Sequence, residues 1–258
     1  MEVVAMHGAG NNFMVLDARG KTMDLRQTAL DLCRLGHTDG FMAVDVSDKA
    51  DFKLHFYNSD GSRGEMCGNG ARCICRYAYD HGIAGETMTV ETDAGLVCGQ
   101  RLSRDQYRIR LNDPSQLDLH RKGHVAYVEL GDPGIPHAVM EYEGDLWAQS
   151  ESLRPQMQAL RRDPAFPKGA NVNFYQWMGP EEIRILTFER GVEDFTLACG
   201  TGTGSTAAVL YASGRLPGGR LTVHNRGGDL QVTVEGAENR VTALYLEGPT
   251  HVSAVLEL

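Results

Sequence analysis

Two of the six cysteines in this chain stand in nearly the same setting, Met66-Cys67-Gly68-Asn69-Gly70 and Ala198-Cys199-Gly200-Thr201-Gly202. Each follows a short apolar run, Phe52–Tyr57 or Ile183–Phe188, and each leads into a segment that reads as a helix. The first amides of a helix have no intrahelical partner, and with the helix dipole they favour an anion such as a carboxylate. The same partial positive charge favours a thiolate on a cysteine placed there. One such turn would be an ordinary strand-to-helix connection. Two copies, 132 positions apart in 258 residues, suggest a duplicated half. If both helix starts address one ligand, two amide clusters can grip one carboxylate while two sulfurs flank its α-carbon. That arrangement suits inversion at the α-carbon of an amino acid without pyridoxal phosphate, with one sulfur as thiolate base and the other as thiol acid.

Other readings of the same residues stay open. Both cysteines could be buried core thiols, a common fate for cysteine. The Gly-rich turns could be anion nests of a non-catalytic amino-acid-binding or phosphate-binding protein. A pyridoxal-phosphate enzyme is set aside, because no lysine lies in or near either turn. Cys33, Cys73, Cys75 and Cys98 lie in helical or strand patterns without such context and are expected to pack in the core. Cys73 and Cys75 lack a second Cys/His pair at zinc-finger spacing, so a structural metal is not expected; no cofactor is expected for the two-thiol chemistry.

The elements that must carry these turns are mostly strands. Short runs rich in Val, Leu, Ile and Tyr alternate with a period near two at 13–17, 52–57, 88–92, 107–111, 124–130, 183–188, 221–224, 230–234 and 241–246. Helical patterns cover 24–35 and 152–162, and the two that follow the cysteine turns, 70–81 and 202–213, stop at Gly82 and Gly214, where a left-handed cap is expected. The openings of the halves, HGAGNNFMVLD and LGDPGIPHAVMEY, share a Gly-rich turn running into an apolar strand. The polar stretch 112–122 sits where a linker is needed, which divides the chain into 1–115 with 249–258, carrying Cys67, and 116–248, carrying Cys199.

Composition excludes several classes. A net charge of −9 gives no electrostatic reason to approach nucleic acid or an anionic membrane. No stretch approaches the roughly 18 apolar residues of a membrane span, and the N-terminus has no basic leader with an apolar run. Six cysteines are too sparse for a secreted disulfide framework. A cytoplasmic protein with reduced thiols is the expectation.

Six ordered motifs then carry a resemblance. HGAGNNF, FYNSDGSRGEMCGNGARC, GIPH, FPKGANVNF, FERG and ACGTGTG together resemble the diaminopimelate epimerase family through nearly the whole chain. The resemblance implies an α+β fold of two pseudo-symmetric domains, each a strand-rich sheet or barrel wrapped around a central helix, with the final strand 251–257 returning to the first. It implies a cofactor-independent isomerase acting on LL-diaminopimelate to give the meso form, in lysine and cell-wall precursor synthesis, and a homodimer. By motif, Cys67 and Cys199 are the acid/base pair and His137 a catalytic neighbour that polarises a thiol. The amides of Gly68, Asn69, Gly200 and Thr201 would hold the reacting carboxylate. Asn11, Asn58, Asn171, Glu189 and Arg190 would grip the distal end of the substrate, Arg190 its carboxylate and Glu189 its ammonium. Without the motifs, Asn11 and Asn58 read as turn residues, Glu189-Arg190 as a solvated pair and His137 as a structural histidine.

Departures from the family pattern gather near the distal-recognition motifs. Asn12 stands where Asp is usual, His37-Thr38 replaces a Gly-containing turn, Ile135 stands where many members have Asn, and the segment between Arg190 and Cys199 is one residue longer and carries Phe195. Thr203-Gly204-Ser205 follows the second cysteine in place of the commoner Ala-Cys. They leave both cysteine turns intact but keep a second substrate, such as histidine, in play.

Overall fold

The structure is a computed structural model that describes residues 1–64 and 67–258; Glu65 and Met66 of the first cysteine motif lie outside the described residues. The chain divides into two units, Met1–Arg110 with Glu247–Leu258, and Leu111–Leu246.

The first unit contains β1 (Glu2–Gly8), β2 (Asn11–Asp17), α1 (Leu25–Gly36), β3 (Gly40–Asp45), β4 (Phe52–Asn58), α2 (Gly68–Asp80), β5 (Thr87–Thr92), β6 (Gly95–Arg101) and β7 (Gln106–Leu111). The second contains β8 (Pro114–Lys122), β9 (Val125–Leu130), β10 (Ile135–Glu141), α3 (Ser150–Arg161), β11 (Asn171–Gly179), β12 (Glu182–Glu189), β13 (Asp194–Thr196), α4 (Gly200–Ala212), β14 (Arg220–Asn225), β15 (Gly228–Ala237) and most of β16 (Arg240–Pro249). The last strand, β17 (His251–Glu257), belongs to the first unit and pairs antiparallel with β1, Glu2 opposite Glu257.

Pairing repeats between the units. In the first, β1–β2 is antiparallel, α1 crosses to make β2 and β3 parallel, β3–β4 is antiparallel, α2 crosses to make β4 and β5 parallel, and β5–β6 is antiparallel. In the second, β9–β10, β10–β11 through α3, β11–β12, β12–β14 through α4, and β14–β15 follow the same order of orientations. The edge strand β17 against β1 has its counterpart in β8 against β9. The turns that open the two halves share a device: Gly10 (φ 90°) and Gly131 (φ 88°) adopt the left-handed backbone that only glycine takes cheaply.

Each sheet curls around one helix. Helix α2 packs on β1, β2, β3 and β6, and α4 on β8, β9, β10, β11 and β15. A helix enclosed in this way must be apolar or small on every face, and α4 (GTGTGSTAAVLYA) is buried from Gly202 through Leu210. Helices α1 and α3 instead lie outside the sheets on one apolar stripe: Ala29, Leu32 and Cys33 of α1 join Met14, Leu16, Phe41 and Ala43, and Leu153, Met157 and Leu160 of α3 join Phe174 and Leu186.

Two expectations are corrected. The polar stretch 112–122 is not a linker, because Pro114–Lys122 forms β8 with Leu117 opposite Val128; an edge strand can be polar where one face meets water. Cys98 is not in the core: on β6 the buried side chains are Val97 and Gly99, and the period of two turns Cys98 outward. Cys33, Cys73 and Cys75 are buried as expected, and burial pushes the Cys73 and Cys75 thiols up to about 12.

Candidate active site

Both cysteines are helix N-caps. The helices start two residues before the positions expected from sequence, so Cys67 (φ −104°, ψ 122°) and Cys199 (φ −126°, ψ 110°) hold the extended cap conformation and their glycines form the first turn. The helical ladder begins with Ala71 N donating to Cys67 O (2.7 Å) and Thr203 N to Cys199 O (2.9 Å). The amides of Gly68, Asn69, Gly200 and Thr201 lie ahead of it. Both helices end in the same motif, with Gly82 (φ 65°) and Gly214 (φ 74°) donating to Tyr79 O and Tyr211 O, and the next residues, Ile83 and Arg215, to Ala78 O and Leu210 O. Start and stop are thus fixed by backbone chemistry that glycine permits.

The first half-site is a chain of amides under a buried cation. Arg72, fully buried, donates from Nη2 to Asn69 Oδ1 (2.9 Å) and from Nη1 to Gly68 O (3.3 Å). Asn69, itself buried, donates from Nδ2 to Asn11 Oδ1 (2.7 Å), and Asn11 Nδ2 points to Asp39 Oδ2 at 3.4 Å. Asn12 accepts from Asp39 N (2.9 Å). Asn58 is turned toward its own loop, its Nδ2 donating to Ser62 Oγ (3.0 Å).

The second half-site is built on β10 and β11. Cys199 Sγ accepts from Gly202 N (3.4 Å) and lies 3.5 Å from Thr201 Oγ1. A Cβ on Gly202 would overlap Asn173 Oδ1, so the glycine is what lets β11 approach the helix start. Asn173 is fully buried. Its Nδ2 donates toward the Ala138 and Asn171 carbonyls (3.2 and 3.3 Å), which can only accept, and its Oδ1 accepts from Thr187 Oγ1 (2.9 Å). The same Nδ2 lies 3.1 Å from His137 Nδ1, so that nitrogen is the acceptor and the ring proton sits on Nε2. Burial, with the Arg190 charge adding to it, pulls His137 down to about 3. His137 is therefore a neutral imidazole at physiological pH, and its Nε2–H is buried without a partner among the described residues.

Asn171 braces the same corner, Nδ2 donating to Pro136 O (3.2 Å) and Oδ1 accepting from Arg190 N (2.8 Å). The Arg190 side chain is exposed, with one bond from Nη1 to Lys168 O (3.1 Å) and no carboxylate paired to it among the described residues. Burial pushes the Glu189 carboxyl up, with the Thr196 side chain opposing. The segment before Cys199 closes a hairpin in which Phe188 faces Phe195 edge-on, their rings 5.7 Å apart. Among the described residues, the first half has a bridge, Tyr57 to Arg63, at the corresponding place.

Each half thus brings its cysteine, its first helical amides and its motif asparagine to the start of its central helix. Sequence reasoning missed Arg72 and Asn173. The signal for Arg72 was a charge inside the otherwise apolar segment ARCICRYA; Asn173 carried none, since an alternating NVNFY reads as a half-exposed strand.

Solved structures share this architecture. A PhzF-family phenazine biosynthesis protein from Bacillus anthracis superposes with a TM-score of 0.74 at 15% identity, covering 100% of this chain and 98% of that one. A probable proline racemase from Agrobacterium radiobacter gives 0.67 at 17%, covering 100% and 92%. At these identities the likeness defines a class of fold: two strand-rich halves, each around a helix. Sequence narrows it. The profile of the family described as diaminopimelate epimerase matches residues 3–109 and 132–252. Diaminopimelate epimerases of Aquifex aeolicus and Moorella thermoacetica are 33% and 34% identical, covering 97% and 96% of this chain and 95% and 96% of their own lengths. The chain belongs to the diaminopimelate epimerase family.

Proposed function

We propose that this protein epimerises LL-diaminopimelate to the meso form with Cys67 and Cys199 as the proton-transferring pair. The observation that carries the reading is that both cysteines are the N-cap residues of the two central helices of a duplicated scaffold, with the Cys199 sulfur accepting from Gly202 N in the first turn. One thiolate removes the α-proton, the other thiol delivers a proton to the opposite face, and the roles exchange with direction. Negative charge developing on the α-carboxylate falls to the amides of Gly68, Asn69, Gly200 and Thr201, which need no reorganisation to receive it. His137, held neutral, serves as an N–H donor rather than as an acid or base. Arg190, with no carboxylate paired to it among the described residues, binds the distal carboxylate, and Glu189 the distal ammonium; Asn11, Asn58 and Asn171 shape that end. The reading includes a cytoplasmic homodimer in lysine and cell-wall precursor synthesis. No described helix is long and apolar enough to cross a membrane.

The test is to incubate the reduced protein with LL-diaminopimelate, L-histidine and a small panel of amino acids and resolve the stereoisomers. Formation of the meso isomer alone is expected. Inversion of histidine instead would keep the chemistry and change the substrate; ligand binding without inversion would favour a non-catalytic binding protein.

A further inference from the structure

Arg72 heads the fully buried side chains by size, and it has no counterpart in the other half. It is the fifth residue after Cys67; the fifth after Cys199 is Gly204, where a Cβ would overlap the Leu111 side chain. The second half thus puts hydrocarbon where the first puts a guanidinium.

That guanidinium is held by neutral acceptors, Gly68 O and Asn69 Oδ1, and its Nε is buried with no partner among the described residues. Arginine remains protonated in proteins, and a buried charge without a counter-ion is costly. The charged groups on the strands around α2 are engaged elsewhere: Glu2 with His81, Asp17 with Arg19, Asp45 with His55, and Arg101 with Glu86. Arg76, the other cation of α2, pairs with Asp80 a turn further on. Cys73 and Cys75, pushed up by burial, stay thiols and supply no negative charge. Cys67 remains: it is half-buried, and the guanidinium sits on the carbonyl of the residue next to it.

Building on the two-cysteine reading above, we infer that Arg72 is a positioning residue that makes Cys67 the resting thiolate and leaves Cys199 the resting thiol. The helix dipole does not distinguish the two, since both cysteines are N-cap residues of helices of equal length. Gly202 N–H and the Thr201 hydroxyl favour an anion on Cys199, but they are neutral groups. Cys199 is only 9% exposed, which favours its uncharged form. The Arg72 guanidinium acts on Cys67 as a full charge, and where water is excluded a full charge outweighs a neutral dipole.

The test reads acidity directly, without substrate. The fully reduced protein is pulsed with iodoacetamide from pH 5 to 10, and alkylation is quantified by mass spectrometry on the peptides that carry Cys67 and Cys199. The Cys67 half-point should lie at least about one pH unit below that of Cys199, a tenfold difference in thiolate fraction. Arg72→Met should move the Cys67 half-point up toward that of Cys199, and Arg72→Lys, which keeps the charge, should hold it low. Equal half-points, the reverse order, or a Cys67 half-point unmoved in folded Arg72→Met would overturn the inference. If Arg72→Met does not fold, the wild-type order and Arg72→Lys decide it. Solvent exchange into substrate would persist through failure of this inference and would be lost if the two-cysteine reading itself failed.

Discussion

Helices α2 and α4 have the same length, the same Cys-Gly-x-Gly start and the same glycine stop, yet they bury different chemistry. Inside the first half lies a guanidinium with amides stacked beneath it, Arg72 to Asn69 to Asn11. Inside the second lie buried hydroxyls, Thr203, Ser205 and Thr206, and on the strands beside them the neutral His137 of β10 is bonded to Asn173 of β11. The backbone of the duplicated fold supplies two equivalent helix starts. The side chains around them differ, and the proposed acid/base pair needs that difference, since two sulfurs in identical surroundings would have no preferred proton arrangement.

That comparison can be broken at several levels. The largest effect belongs to the sulfurs. Cys67→Ser and Cys199→Ser should each lower turnover by about 10³-fold or more, since a hydroxyl is far less acidic than a thiol. Steady-state assays of each variant check this, and a variant within tenfold of wild type would remove its cysteine from the chemistry. Next comes the proposed distal end, where Arg190 has no carboxylate paired to it among the described residues. Arg190→Ala should raise KM for diaminopimelate about 10- to 100-fold, the worth of a charge-assisted bond to a carboxylate, and lower kcat much less.

The smallest effect is on stability, from the neutral histidine of the second half. His137 falls from 6.5 when exposed to about 3 in the fold, so between those values the unfolded chain holds the extra proton. Stability from this group is complete above about pH 6.5 and is lost as pH falls, by up to about 1.4 kcal/mol per pH unit. Urea midpoints from pH 7 down to 4.5 should decline less steeply in His137→Gln than in wild type; parallel declines would mean that the buried ring carries a proton in the fold.

Much of this is legible in the sequence. Strands with one face in the core announced themselves by alternation, as at 52–57 and 107–111, and the duplicated cysteine turns marked both helix starts to within two residues. Strand β3 (GFMAVD), buried along nearly its whole length between α1 and α2, loses the period of two and with it the signal. Strand β8 failed the opposite way, its edge position allowing a polar sequence that reads as a linker. The site divides similarly. Cysteines and glycines at a helix start have a local meaning, whereas Asn173 matters only because β11 runs past Gly202, a contact between residues 29 positions apart. Arg72 could be read as a charge in an apolar helix, but its lack of a carboxylate partner is a property of the packed core.

The measurement closest to the central claim follows solvent deuterium. In D₂O the reduced wild-type protein should place deuterium at the α-carbon of LL-diaminopimelate with inversion to the meso form, and neither Cys67→Ser nor Cys199→Ser should give inverted, labelled product at a comparable rate. Inversion that proceeds undiminished without either sulfur, or product formed with no solvent deuterium at the α-carbon, would contradict the two-cysteine account.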